Sequence, residues 1–368
     1  MNRMFSVIGL LACLALVLSV RAPVPLEAAA PKPPNVNANA NAKIHNAMSA
    51  APMAIARDAT ILDWPATEGG DMVVLRQGTN GWTCMTDMPP SPGNDPACYD
   101  AEWMAWNDAW AAGKDPEITR VGVSYMLQGG SDPSNTDPFA TKPAPGDEWV
   151  DSLPHVMLIR PEGFDTTIFS TDPKEPVFVM WAGTPFQHLH IGVPAKHEAI
   201  QEPNKKIRSA MSAAPLAISK NARILDWPDA NGQMAVLRQG TNDWTCLPDW
   251  QATPGNDPEC LDGSAKVWFD AIMTGTTPQL KGPGIAYLLQ GCSAASTTDP
   301  SVTEPPPGAE WIVDPPLVIF VSPEDLKPSD FPTDPMLGRP FIMFEGTPYE
   351  HLMMPVKDRD KKTTGAGR

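Results

Sequence analysis

Two short stretches carry side chains able to hold a metal or move a proton. One is Gln187-His188-Leu189-His190, and Glu350-His351-Leu352-Met353 occupies the corresponding place later in the chain. Side chains alternate along an extended strand, so His188 and His190 share one face and His351 and Met353 share another. Imidazole with imidazole, or imidazole with thioether, is a donor set that suits zinc or copper. Two donors leave such a site open, and the sequence offers no third. The plainer reading of both pairs is a packed or hydrogen-bonded strand end, with substrate contact as a further alternative.

Other groups have the right chemistry at less telling spacings. Asp137, Asp172, Asp299 and Asp334 each sit in a Thr-Asp-Pro element. Paired carboxylates can serve as acid and base, yet an aspartate before proline is also ordinary turn chemistry. Tyr125 with Gln128, and Tyr287 with Gln290, follow apolar runs and are candidates for lining a ligand pocket, or for satisfying buried backbone groups. The 12 tryptophans invite a sugar-stacking reading, but Trp106 lies on an apolar helical face, where core packing is the default. Trp103, Trp110, Trp181 and Trp250 have no counterpart in the other half. No catalytic residue and no cofactor can be named.

The cysteines are more informative. Cys84 and Cys98 are separated by fourteen positions, and so are Cys246 and Cys260. In an exported chain this spacing predicts one disulfide in each half. Closing a loop of about 15 residues is worth roughly 3 kcal/mol in the chain-entropy account. Cys292 is left over and stands where the first half has Gly130, which predicts a buried small residue, with intermolecular pairing or a reactive thiol as the alternatives.

The elements that must position these groups occur twice. Ile61-Leu62-Asp63-Trp64-Pro65 matches Ile224-Leu225-Asp226-Trp227-Pro228, Tyr125 matches Tyr287, and Gly183-Thr184-Pro185 matches Gly346-Thr347-Pro348. A period this long means two whole domains, because solenoid repeats run to about 20–50 residues. The first domain is expected over 43–194 and the second over 206–356. A polar linker fills 195–205 and a charged tail 357–368. Within the first domain, Met72 to Gln77 and Trp82 to Asp87 flank Gly78-Thr79-Asn80-Gly81, a hairpin signal. A helix should follow Cys98, capped by Asp100 and stopped at Gly113, with Asp262 and Gly275 in the same roles later. The expected fold is α+β: two tandem homologous domains, each a small, mostly antiparallel sheet with one or two helices and one disulfide.

Bulk properties exclude some functions. The chain has 368 residues, a formal net charge of −16 and 43 prolines. Phosphate binding needs clustered Lys and Arg, and no basic stripe is present, so nucleic acid is excluded as an expected partner. Met1-Asn2-Arg3 followed by an apolar run to Val20 has the form of an export signal, assigned to residues 1–30. The polar stretch 31–42 reads as a disordered tether. No later run is apolar enough to span a bilayer. The body is expected in the periplasm or outside the cell, either free or held by an uncleaved N-terminal segment. Its small-molecule or protein partner is not specified.

The combination of Gly78-Thr79-Asn80-Gly81-Trp82-Thr83-Cys84, Pro92-Gly93-Asn94-Asp95-Pro96, Tyr125-Met126-Leu127-Gln128-Gly129, Asn135-Thr136-Asp137-Pro138 and Gly183-Thr184-Pro185-Phe186-Gln187-His188 resembles a group of uncharacterised secreted bacterial proteins that carry one such unit. The resemblance implies bacterial origin and export, and brings no activity with it. The sequence favours an exported, non-catalytic binding or structural module. The alternatives are a metal-dependent envelope hydrolase or oxidase using His188 and His190, or a copper-handling protein.

Overall fold

A computed structural model of the chain describes residues 36–67, 69–194 and 199–359. The expected export signal lies outside them. The first helix begins at Val36, so the part of the expected tether from 36 to 42 is helical.

The first unit contains α1 (Val36–Met48), α2 (Met53–Ala56), β1 (Thr60–Asp63), β2 (Val73–Arg76), β3 (Thr83–Met85), β4 (Ala97–Tyr99), α3 (Ala101–Ala111), β5 (Gly122–Met126), β6 (Gly130–Asp132), β7 (Val150–Ser152), β8 (His155–Ile159), β9 (Val177–Met180) and β10 (His188–Gly192). The second contains α4 (Lys205–Met211), α5 (Leu216–Ser219), β11 (Arg223–Leu225), β12 (Val236–Arg238), β13 (Thr245–Leu247), β14 (Glu259–Leu261), α6 (Gly263–Thr274), β15 (Gly284–Leu288), β16 (Cys292–Ala294), β17 (Ile312–Asp314), β18 (Leu317–Val321), β19 (Phe341–Met343) and β20 (His351–Pro355).

Each unit builds one eight-stranded sheet, with orders β2-β1-β3-β4-β5-β8-β10-β9 and β12-β11-β13-β14-β15-β18-β20-β19. The two orders correspond strand for strand. Both sheets are antiparallel except where β1 meets β3 and β11 meets β13. The protein is therefore a mixed α and β fold of two similar sheet units, with larger sheets than expected and a third helix in each unit. Cys84 faces Cys98 across β3 and β4, Cys246 faces Cys260 across β13 and β14, and both pairs are disulfide-bonded.

The expected hairpin does not form. β1 lies between β2 and β3, so the strands flanking Gly78 to Gly81 never pair. The loop instead docks on the corner between α2 and β1. Thr79 N donates to Asp58 O at 2.8 Å, and Asn80 Nδ2 to Ile55 O at 2.7 Å. Arg76 reaches Ala56 O at 2.6 Å and Ala59 O at 2.9 Å. A Cβ at Gly78 would stand 2.1 Å from Thr60 N, and one at Gly240 would stand 2.3 Å from Arg223 N. The glycine is required by this close approach of backbone to backbone, not by a reverse turn.

The helix after each disulfide forms as its caps dictate. Asp100 accepts from Trp103 N at 2.9 Å and Asp262 from Ala265 N at 2.8 Å, satisfying N-terminal donors. Gly113 and Gly275 adopt left-handed backbone at the far ends (φ 63° and 66°). α3 covers one face of the first sheet through Trp103 and Trp106, which pack on Met157, Ile159, Phe178 and Met180. α6 does the same for the second sheet through Trp268 and Phe269, against Ile319, Phe341 and Met353. The other faces contribute to one continuous core that joins the units, running from Ile55, Tyr125 and Leu158 to Ile218, Tyr287 and Phe320. No described helix is long and apolar enough to cross a membrane.

Candidate functional site

His188 and His190 do share a face, and the structure adds a histidine that the sequence did not single out. β10 pairs with β8 so that Gly192 faces His155, which places His155 on the same side of the sheet. Its ring stacks on that of His190, with centroids 4.4 Å apart and planes 21° apart. His188 Nε2 lies 3.0 Å from His190 Nε2. Trp103, Trp106 and Trp181 present edges to His188 at 5.1 to 5.7 Å. The three imidazoles are 2–3% exposed.

Hydrogen bonds assign the tautomers. His155 Nδ1 donates to Leu153 O at 2.6 Å and His188 Nδ1 donates to Phe186 O at 3.0 Å, leaving both Nε2 atoms as lone pairs. His190 Nε2–H then donates to His188. His155 Nε2 and His190 Nδ1 are left with no hydrogen-bond partner. Burial holds the trio neutral: it pushes His155 and His188 down to about 4, and drives His190 well below the usual imidazole range, helped by its two neighbours. Stacked rings direct their in-plane lone pairs side by side instead of toward one point. Among the described residues, no group of three or more His, Cys, Asp or Glu side chains is arranged to hold a metal ion.

The second unit keeps one histidine of the three. Leu317 stands in place of His155, His351 in place of His188, and Met353 in place of His190. His351 donates through Nδ1 to Tyr349 O at 2.9 Å, and burial pushes it down to about 4. Met353 packs under α6. The two pairs flagged in the sequence lie on separate sheets.

The remaining candidates take structural places. Tyr125 and Tyr287 are fully buried in the joint core, and Tyr287 donates across the units to Gly192 O at 2.9 Å. Gln128 donates to Ser49 O at 3.0 Å and Gln290 to Ser212 O at 2.9 Å. Gln128 also borders a shallow depression of about 340 Å³ beside Asp95. Asp137, Asp172, Asp299 and Asp334 each accept the backbone N–H two residues on, at 2.9 to 3.0 Å, and so serve their own turns. Cys292 is half-buried, and burial, with Asp314 next in effect, raises its thiol well above the ordinary range. That holds the group protonated and unreactive.

The open volumes lie elsewhere, along the seam between the units. Two adjoining cavities of about 740 and 700 Å³ share Ile168, Gln279, Leu280 and Lys281. One wall is the 162–177 segment of the first unit. The other is the second unit's docked loop at Asn242–Trp244, the start of α6 and the stretch before β15. Arg160 closes the seam with a 2.8 Å ion pair to Asp325 of the other unit. No family model, no curated protein and no solved structure matches this chain.

Matching positions of the two units are filled differently at the seam, one side being packed where the other borders the cavities. On the closed side, the Arg120 guanidinium lies over the Phe331 ring at 5.8 Å and pairs with Asp100 and Glu102, each at 3.5 Å. On the open side, Gly282 stands where Arg120 does and Ser264 where Glu102 does. The guanidinium and carboxylate that fill one side are missing from the other, where Ile168 Cδ1 lies 2.5 Å from the place a Cβ of Gly282 would take and the two cavities open on either side of it. No sequence signal marked it, because a glycine before a strand reads as an ordinary turn residue.

Proposed function

We propose that the protein is an exported, non-catalytic binding module in which two duplicated units act as one body and take their ligand at the open side of the seam. The observation that carries this reading is the contrast in access. The groups with catalytic or metal-binding chemistry are enclosed and neutral, whereas the large open volume is lined jointly by both units. Sites of a few hundred to a thousand Å³ at domain interfaces are where small ligands bind. The two disulfides are compatible with an oxidising compartment outside the cytoplasm.

The test compares three immobilised proteins exposed to an envelope extract, with captured small molecules identified by mass spectrometry. The native chain and His188→Asn should capture the same set. The double variant Ser264→Glu/Gly282→Arg, which carries the closed side's plug, should capture none of it. Capture that survives the plug and disappears in His188→Asn would contradict the reading.

A second reading, soft-metal handling by His188 and His190, has one observation in its favour: their Nε2 atoms are 3.0 Å apart, beside two ring nitrogens without partners. It requires the His190 ring to turn so that both Nε2 lone pairs face one ion. Titration with Cu(I) under reducing conditions tests it, since one equivalent should bind tightly to the native chain and none to His190→Leu, which offers no donor.

A further inference from the structure

From the chemistry of the open seam we infer that its ligand is an oligosaccharide, neutral or amino-bearing, and not an anionic glycan. This rests on the binding-module reading above and specifies the ligand class of the same site.

Three features of the cavity point to sugar. The first is an aromatic surface that the closed side withholds. Trp82 is 7% exposed, whereas its counterpart Trp244 is only partly buried and lines the 740 Å³ cavity. An indole face takes the C–H surface of a pyranose ring as it takes other apolar or weakly positive surface. The second is a set of planar polar groups lining the same cavity, Asp243, Glu175 and Gln279; Asn242 also lines it, but its amide is held by Ile218 O and Trp244 N. Carboxylates and amides have paired acceptor and donor positions that match vicinal hydroxyls. Asp243 is exposed at the place where the first unit has Gly81, so this polar group also belongs to the open side alone.

The third feature is charge and shape. Asp243 and Glu175 line the larger cavity with a single cation, Lys281, and the whole chain carries −16. Phosphate, sulfate and uronate groups would be repelled, while hydroxyls and ammonium groups are accommodated. The second cavity continues from the first past Lys281 and Gly282. An elongated pair of volumes fits several linked rings better than one monosaccharide.

The test is calorimetric titration of the full chain with three tetrasaccharides: a neutral β-linked glucose tetramer, a glucosamine tetramer, and a uronate tetramer. Tryptophan fluorescence is recorded in parallel. The proposal predicts binding of the glucose or glucosamine tetramer with a fluorescence change, and at least tenfold weaker binding of the uronate. Trp244→Ala should weaken binding at least tenfold, Trp244→Phe should restore part of it, and Ser264→Glu/Gly282→Arg should abolish it. Cys246 and Cys260 remaining disulfide-bonded, with an unchanged unfolding temperature, shows that each variant is folded. Failure of all three tetramers to bind, or tightest binding of the uronate, overturns the saccharide inference. If the plug still blocks capture of a peptide or another small molecule from extract, the binding-module reading stands while this inference falls.

Discussion

The region where α3 covers the first sheet and the region where α6 covers the second are built on the same strand order and the same cap, yet they are filled differently. Trp103, His155 and His190 in the first correspond to Ala265, Leu317 and Met353 in the second. The first layer has three imidazoles, with two ring nitrogens unpartnered; the second has one imidazole and replaces the other two with Leu317 and Met353 among Trp268, Phe269 and Phe341. Both accommodate the same backbone, which shows that the fold does not require the histidine trio. An unpartnered buried acceptor costs about 1–3 kcal/mol. The same contrast recurs along the seam, where Arg120 over Phe331 fills one side and Gly282 leaves the other open. The two units thus share one strand order and differ in what fills it.

Acid should break this comparison most strongly. His155 and His188 have folded values of about 4, below the unfolded imidazole value near 6.5. Their contribution is fully present above pH 6.5 and is lost as pH falls toward 4, on the order of 3 kcal/mol each. Buried carboxylates act in the opposite direction. Burial raises Asp100 to about 6 and Asp132 to about 7 in the first unit, and Asp314 to about 6, Asp262 to about 7 and Glu259 to about 8 in the second. Their contribution is present below pH 4 and is lost as pH rises through those values. Burial also raises Asp95 in the first unit and Asp257 and Glu350 in the second, so the first carries three titrating imidazoles against three such carboxylates, and the second carries His351 against five. Hydrogen exchange between pH 6.5 and 4.5 should show β8 to β10 losing protection before β18 to β20. Installing the second unit's residues, His155→Leu with His190→Met, should remove most of that difference. Equal loss in both sheets would show that the trio does not set the acid response.

A smaller effect is expected at the seam. Asp325→Ala leaves Arg160 with the exposed Glu162 at 3.2 Å as its one ion-pair partner and Gly163 O at 2.9 Å as a neutral acceptor. Removing one partner of a buried pair costs about 3 kcal/mol, and here the cost should fall on both units, because one core joins them. Chemical denaturation should remain a single transition with a lower midpoint. Two separated transitions would mean that the units unfold independently and that the seam is a loose contact.

Much of the local structure was legible in the sequence, and the reasons are local. Asp100 and Asp262 cap helices because a carboxylate satisfies N–H groups within one turn. The fourteen-residue cysteine spacing suits adjacent antiparallel strands, and His188 and His190 share a face because strand side chains alternate. What was hidden depends on distant segments. Gly78 to Gly81 resembles a hairpin turn, but the shape of the loop is set by the corner at Ile55 to Thr60 on which it docks. His155 is brought to His190 by the pairing of β8 with β10, and a match between the halves shows only Leu317 in its place. The seam was invisible because Arg120 and Gly282 differ at a loop position whose importance lies in contact with the other unit.

The central claim is that ligand binds at the open seam and not at the buried histidines. Hydrogen exchange of the full chain with and without a saturating neutral or glucosamine tetrasaccharide tests it most directly. The account predicts slowing confined to the two walls of the seam, residues 162–177 on one side and 242–244 with 262–283 on the other. Slowing confined to 155–159 and 188–192 would contradict it and return the functional weight to the histidine trio.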